Sequence, residues 1–186
     1  MTFTDSQRNS TRSDTHRQDH LHWLKICWIW QGKITYRWVP RKGTSDHAGD
    51  GLVLTGARIV SAVRCAPPGN APTPAERATC GHWLRREIDL VTPTVTGILA
   101  LGQIAWNATF GALSTLGWQV PRPRPAFGHG ATAHVVPPSD RARARTGVAV
   151  VGSYHVSQQN TFTGRLTKDM LDAAIAACAG DQQEQA

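Results

Sequence analysis

The run "GVAVVGSY", Gly147 to Tyr154, passes directly into "HVSQQNTFTGR", His155 to Arg165. The first half of this stretch decides the fold. Val148, Val150 and Val151 stand with small Ala149 and Gly152, so neither face carries a polar stripe. An unbroken apolar run of this length, rich in β-branched residues, is what a strand covered on both faces requires. The second half is polar, so the strand is expected to end there in a loop that meets solvent.

Reading outward, "TGILAL" (Thr96 to Leu101) is a second buried strand, followed at Gly102 by a helix with Ile104, Ala105 and Ala108 on one face. "RIVSAVRC" (Arg58 to Cys65) is a β-branched run of strand length, and Phe127 to Val136 contains a third, shorter strand. "APPGNAP" (Ala66 to Pro72) is a rigid loop. Thr73-Pro74-Ala75-Glu76 then reads as a capping box with proline at the first helical position, starting a helix that runs to about Val91. Thr167 caps a last helix whose apolar stripe is Leu171, Ile175 and Cys178. Strands alternating with helices predict an α/β fold, a three-layer sandwich about a central, mainly parallel sheet. Ligands of such sheets bind beyond the carboxyl ends of the strands. The loop carrying Asn70 and the loop from His155 to Arg165 are expected at that edge.

The chain changes character near residues 48–51. Four of its seven tryptophans (Trp23, Trp28, Trp30, Trp38) precede that point, and alanine is common only after it. Two parts are therefore expected: a divergent or disordered segment over residues 1–50 and an α/β domain over residues 51–180. Residues 1–20 are polar and should be disordered. Within "WLKICWIWQGKITYRWV", a basic, aromatic strand pair turning around Gln31-Gly32 is expected. It would either stack on single-stranded nucleic acid or cover another surface. A shifted reading frame, a wrong start, a recombination or a genuine accessory segment would each explain the break.

At 186 residues and 40% hydrophobic content the chain can build one ordinary domain. The net charge of +7 and pI near 9.8 suit a polyanionic partner. No stretch approaches the roughly 18–20 apolar residues of a membrane span, and the polar start is unlike a signal peptide, so a cytoplasmic location without membrane association is expected. Cys27, Cys65, Cys80 and Cys178 show no CxxC spacing and read as thiols or metal ligands rather than disulfides. Arg141, Arg143 and Arg145 read as a solvated charge cluster.

Four segments then occur in a telling order: "VRCAPPGNAPTPAE" from Val63, "LALGQIAW" from Leu99, "RPRPAFGHG" from Arg122 and "YHVSQQNTFTGRLTKDMLDA" from Tyr154. Together they resemble the family 5 uracil-DNA glycosylases, over about two-thirds of the chain. The resemblance implies a DNA-repair hydrolase that flips uracil or a related deaminated base out of the duplex and cleaves its N-glycosidic bond. It implies that His155 donates to the departing base anion. Asn70 and Asn160 are similar to residues that hold base or water, although Asn70 also suits a plain turn. Gln158, Gln159, Thr163 and Arg165 would meet the phosphates around the flipped nucleotide. Cys65 and Cys80 match two of the family's four ligands to a [4Fe–4S] cluster, or are buried structural thiols. The implied partner is DNA containing deaminated bases, met as a monomer.

Three departures from the family pattern stand out. Nothing before Asp50 resembles the family's first catalytic motif, and the cluster's other two cysteines have no matching context there. With half its ligands, a cluster here is expected to be incomplete or absent. The proline that normally follows the motif histidine is Val156, which frees the backbone beside His155. The amino-terminal part of the family is therefore expected to be missing or replaced, with the chain inactive in this form as one consequence. A non-catalytic DNA-binding remnant, or a truncated product, is the alternative to an active enzyme.

Overall fold

Val148–Ser153 forms a strand with all six residues buried, and Gly97–Leu101 forms its parallel neighbour with all five buried. The computed structural model describes residues 26–37, 53–64, 67, 71–140 and 147–180. In chain order these hold β1 (Ile26–Arg37), β2 (Val53–Ser61), α1 (Pro74–Val91), β3 (Gly97–Leu101), α2 (Gln103–Thr115), β4 (Thr132–Val135), β5 (Val148–Ser153), α3 (Gln158–Phe162) and α4 (Lys168–Gly180). The apolar runs on β3 and β5 split by strand alternation between two helical layers. Ile98, Ala100, Val148 and Val150 face α1 and α2, packing with Leu84, Ile88, Trp106 and Phe110. Leu99, Leu101, Ala149 and Val151 face α4, packing with Leu171, Ala174 and Cys178. This is the three-layer α/β sandwich that the alternation implies.

The sheet is mixed rather than mainly parallel. Its order is β2-β1-β3-β5-β4, and only β3 and β5 pair in parallel. β1 is antiparallel to both β2 and β3, and β4 is antiparallel to β5. β2 and β3, joined by α1, therefore do run the same way, as a helical crossover requires. β1 lies between them and runs opposite. The carboxyl ends of β2, β3 and β5 share one edge of the sheet.

β1 also corrects the expected strand pair. Ile26–Arg37 is one continuous strand that passes through Gln31-Gly32 without turning, with a register shift against β2 between Trp30 and Thr35. The favoured two-residue hairpin turns need positive φ at the first central residue, here Gln31, which glutamine disfavours. The Ile, Trp, Thr and Tyr residues on either side instead find ladder partners on both flanks. β2 starts earlier than the "RIVSAVRC" run and ends at Ser61, because its pairing with β1 begins at Val53. In the Phe127–Val136 segment only Thr132–Val135 is strand. The expected disorder of residues 1–20, the Arg141, Arg143 and Arg145 cluster, and most of the loop at residues 66–72 lie outside the described residues.

The helix ends follow their sequence signals. Thr73 accepts from the Glu76 amide at 3.2 Å, and the Glu76 carboxylate accepts from the Thr73 amide at 2.7 Å, so the capping box is closed in both directions. Thr167 Oγ1 accepts from the Met170 amide at 3.2 Å at the start of α4. Gly97 is needed where α4 crosses the sheet: a Cβ there would sit 2.3 Å from the Cys178 carbonyl oxygen.

Candidate active site at the carboxyl ends of β3 and β5

The parallel pair β3–β5 opens at Gly102 and Ser153. The Gly102 amide donates to the Ser153 carbonyl at 2.8 Å, closing the last rung before the strands part. Gly102 has φ +89°, a conformation that suits glycine, and starts α2 with no side-chain cap. The first amides of α2 therefore face this edge with the positive end of the helix dipole. His155, half-buried, lies directly over Gly102: a Cβ on that glycine would be 3.5 Å from His155 Cβ.

The chain beyond His155 folds back to hold it. Ser157 caps α3, and the half-buried Asn160 donates from Nδ2 to the His155 carbonyl at 2.8 Å. Asn160 is thus brought to His155, as a brace on its backbone. Leu166, buried, donates its amide to the Asn160 carbonyl at 2.9 Å and anchors the far end of the loop. Gln158 and Gln159 are exposed on α3. Thr163 uses its hydroxyl proton on the Gln159 carbonyl at 2.6 Å. Arg165 lies over the Tyr154 ring, with Cζ 4.7 Å from its centroid. Polar and cationic groups therefore surround the histidine on the solvent side. Phe162 is 82% exposed among them, without apolar cover.

A second segment, missed as part of the site, crosses the end of β5. Trp106 Nε1 donates to the Pro125 carbonyl at 3.0 Å, and a Cβ on Gly152 would meet the Gly128 carbonyl oxygen at 2.6 Å. Residues 125–131 thus lie tightly over β5. His129 follows, its ring stacked on Tyr154 at 5.2 Å. Its Nδ1 is 3.3 Å from the Tyr154 amide and 3.4 Å from Ser153 Oγ. The sequence signal was the "AFGHG" pattern, whose paired glycines allow a close approach.

Asn70 and Cys65 lie outside the described residues. Cys80 is half-buried on α1, on one face of the sheet, whereas Cys178 is buried in the α4 layer on the other. Cys27 lies in β1, in register with Val60 and Ala100. Among the described residues no three His, Cys, Asp or Glu side chains could share a metal ion. Cys80 and Cys178, on opposite faces of the sheet, do not together fit a four-thiolate cluster. A groove of about 390 Å³ between α1 and α2, flanked by Arg77 and Arg85, lies on the helical face and does not include His155. The open edge at the strand ends is where donors converge.

His155 thus stands at the exit of β5 in an α/β/α sandwich, beside the amino-terminus of α2. The chain belongs to the Uracil DNA glycosylase superfamily, whose family pattern matches residues 13–179. It is 46% identical over 128 residues to a type-5 uracil-DNA glycosylase of Mycobacterium bovis, an alignment covering 69% of this chain and 43% of that protein. It is similar to the type-5 enzymes of Thermus thermophilus (43% over 123 residues; 66% and 49% covered) and Pyrobaculum aerophilum (36% over 143 residues; 77% and 55% covered). The chain spans about half the length of these relatives. Among the described residues no helix is long and apolar enough to cross a membrane.

Proposed function

We propose that this chain excises uracil or a related deaminated base from DNA by hydrolysing the N-glycosidic bond of a flipped nucleotide. The observation that carries the proposal is the seat of His155. It is half-buried at the end of β5, against the uncapped start of α2, with its carbonyl braced by Asn160. As the bond breaks, the sugar gains positive character and the base leaves as an anion. An imidazole N–H and the helix dipole aimed at that edge favour the anion in the transition state more than the neutral base in the ground state, which is what accelerates the step. Asn160 would serve this chemistry by fixing the His155 backbone, and Asn70 by contacting base or water from the neighbouring loop.

Gln158, Gln159, Thr163 and Arg165 are the proposed phosphate contacts. Exposed Phe162 supplies an apolar wedge of the kind that fills the gap left by an extruded base. The net charge of +7 would make binding steeply salt-dependent. Cys65 and Cys80 are the proposed thiolate pair toward a [4Fe–4S] cluster, which as a rule takes four thiolates. The purified chain is expected to lack the broad visible absorption of such a cluster. Stoichiometric iron, about four per chain, would overturn that expectation. The function is tested by incubating the chain with a single-stranded oligonucleotide carrying one uracil and with its thymine counterpart. Alkali-labile sites at uracil alone support it; intact uracil strands at excess protein refute it.

A further inference from the structure

We propose that His129 is a positioning residue for His155, acting through the Tyr154 backbone; the inference rests on the glycosylase reading of His155. The main chain around residue 130 runs beside β5 as a short extension of β4. The Gly130 amide donates to the Gly152 carbonyl at 2.8 Å, and the Gly152 amide donates to the Ala131 carbonyl at 2.7 Å. The next amide on this side, just beyond β5, belongs to Tyr154. There the neighbouring main chain has turned away, and the His129 side chain supplies the acceptor instead, with Nδ1 at 3.3 Å. A backbone amide can only donate, so His129 Nδ1 presents its lone pair and the ring proton sits on Nε2. Buried Ser153 gives its hydroxyl proton to the Tyr154 carbonyl at 3.1 Å, holding the following peptide, the one that leads into His155.

The ring contacts act in the same direction. Tyr154 packs against His129 at 5.2 Å, Phe127 at 6.5 Å and Arg165 at 4.7 Å, the last reaching back from beyond α3. His155 is the next residue. Its backbone is therefore pinned on the amino side by His129 and on the carboxyl side by Asn160. Val156 does not pre-set φ as proline would, so this pinning falls to the neighbours. The role assigned to His129 is exerted only through the placement of His155.

Two substitutions separate the acceptor from the ring. His129→Phe keeps a ring to stack on Tyr154 and removes the acceptor; His129→Asn keeps an acceptor near Nδ1 and removes the ring. In single-turnover base release, the Phe variant should be slower on the order of tenfold to a hundredfold, the loss that follows from displacing a donor by about 1 Å. Its affinity for uracil-containing DNA should stay unchanged within about twofold. The Asn variant should recover most of the rate. A Phe variant with the wild-type rate, or an Asn variant as slow as Phe, overturns the proposal, as does a parallel fall in affinity. If the wild-type chain releases no base, the glycosylase reading fails, and positioning is still decided by hydrogen exchange at the Tyr154 amide. Exchange should be faster in the Phe variant and slow again in Asn; equal exchange in all three overturns the proposal. Should the Phe variant not fold, a nitrogen-15 spectrum of the wild-type His129 ring decides it: a proton on Nδ1 rather than Nε2 contradicts the assigned role.

Discussion

The centre of the sheet and its β2 margin are held by different forces. In β3 and β5 every residue is buried, and each side chain packs into one of two helical layers. At the margin, Arg58 and Ile59 of β2 are exposed, and beside the buried Val60 an electrostatic link joins this strand to α1. Arg58 Nη2 lies 2.5 Å from Glu87 Oε2, an ion pair without hydrogen-bond angles, while Arg64 Nη2 donates to Glu87 Oε1 at 3.0 Å. Arg64 also covers exposed Trp83 at 5.0 Å. Close packing is sensitive to single atoms, whereas exposed ion pairs contribute little. The site hangs from the centre, so it should respond to changes there and ignore the margin.

Five substitutions grade this contrast. The largest effect is expected for Gly152→Ala and Gly97→Ala, whose added methyls would lie 2.6 Å and 2.3 Å from backbone oxygens that cannot rotate away. Each should lower the free energy of unfolding by about 3 kcal/mol or more, at or beyond the upper end of overpacking costs. Gly152→Ala should also displace residues 125–131. Urea midpoints near wild type for both would mean the centre is looser than its packing implies. Next comes Thr73→Ala, which removes the hydroxyl that accepts from the Glu76 amide and leaves only the backbone half of the α1 capping box. A loss of about 1 kcal/mol is expected from cap removal, again read from the urea midpoint, and no loss would show that α1 is held by Leu84, Ile88 and Val91 alone.

Arg58→Ala at the margin should cost no more, at most about 1 kcal/mol for a pair whose arginine is exposed and whose carboxylate keeps Arg64, and leave single-turnover base release unchanged. A loss of activity with stability intact would erase the insulation of the site from the margin. Smallest is the surface pair between Lys168 and Asp172 on α4. The Asp172 hydrogen bond and charge raise the lysine above its ordinary value of 10.5. Its stabilisation is therefore complete below the unfolded lysine value and lost as pH rises through the raised folded one. The small stability difference between wild type and Lys168→Met should be flat from pH 7 to 9 and shrink only in strongly alkaline solution. A difference that changes between pH 5 and 8 would point to another group.

The contrast also explains what was legible in the sequence. "GVAVVGS" and "GILAL" declare strands buried on both faces by composition alone, and Thr73 with Glu76 declares a helix start through side chains that act within four residues. These signals are local. The direction and place of β1 are not, because its aromatic, β-branched residues fit any pleated surface and only the ladders to Ser61 and Ala100 fix where it goes. The site divides in the same way. His155 and its loop could be read from a specific motif, and its place at the carboxyl ends of parallel strands followed from topology. His129 is 26 residues from His155 and reaches the loop through a side chain replacing a ladder acceptor, which no spacing rule describes. Asn160 was legible as a site residue, but not its hydrogen bond to the His155 carbonyl, which depends on the turn of α3.

The central claim is that base release occurs over the carboxyl ends of β3 and β5, with His155 as the donor. Its most direct test is the single-turnover rate of uracil release by wild type and His155→Ala at saturating protein, with folding of both checked by urea unfolding. Removing one donor to a developing anion typically costs about 10²–10³ in rate, so His155→Ala should release uracil at least about a hundredfold more slowly while unfolding at a similar midpoint. Equal rates for the two proteins would place the chemistry elsewhere and contradict the account.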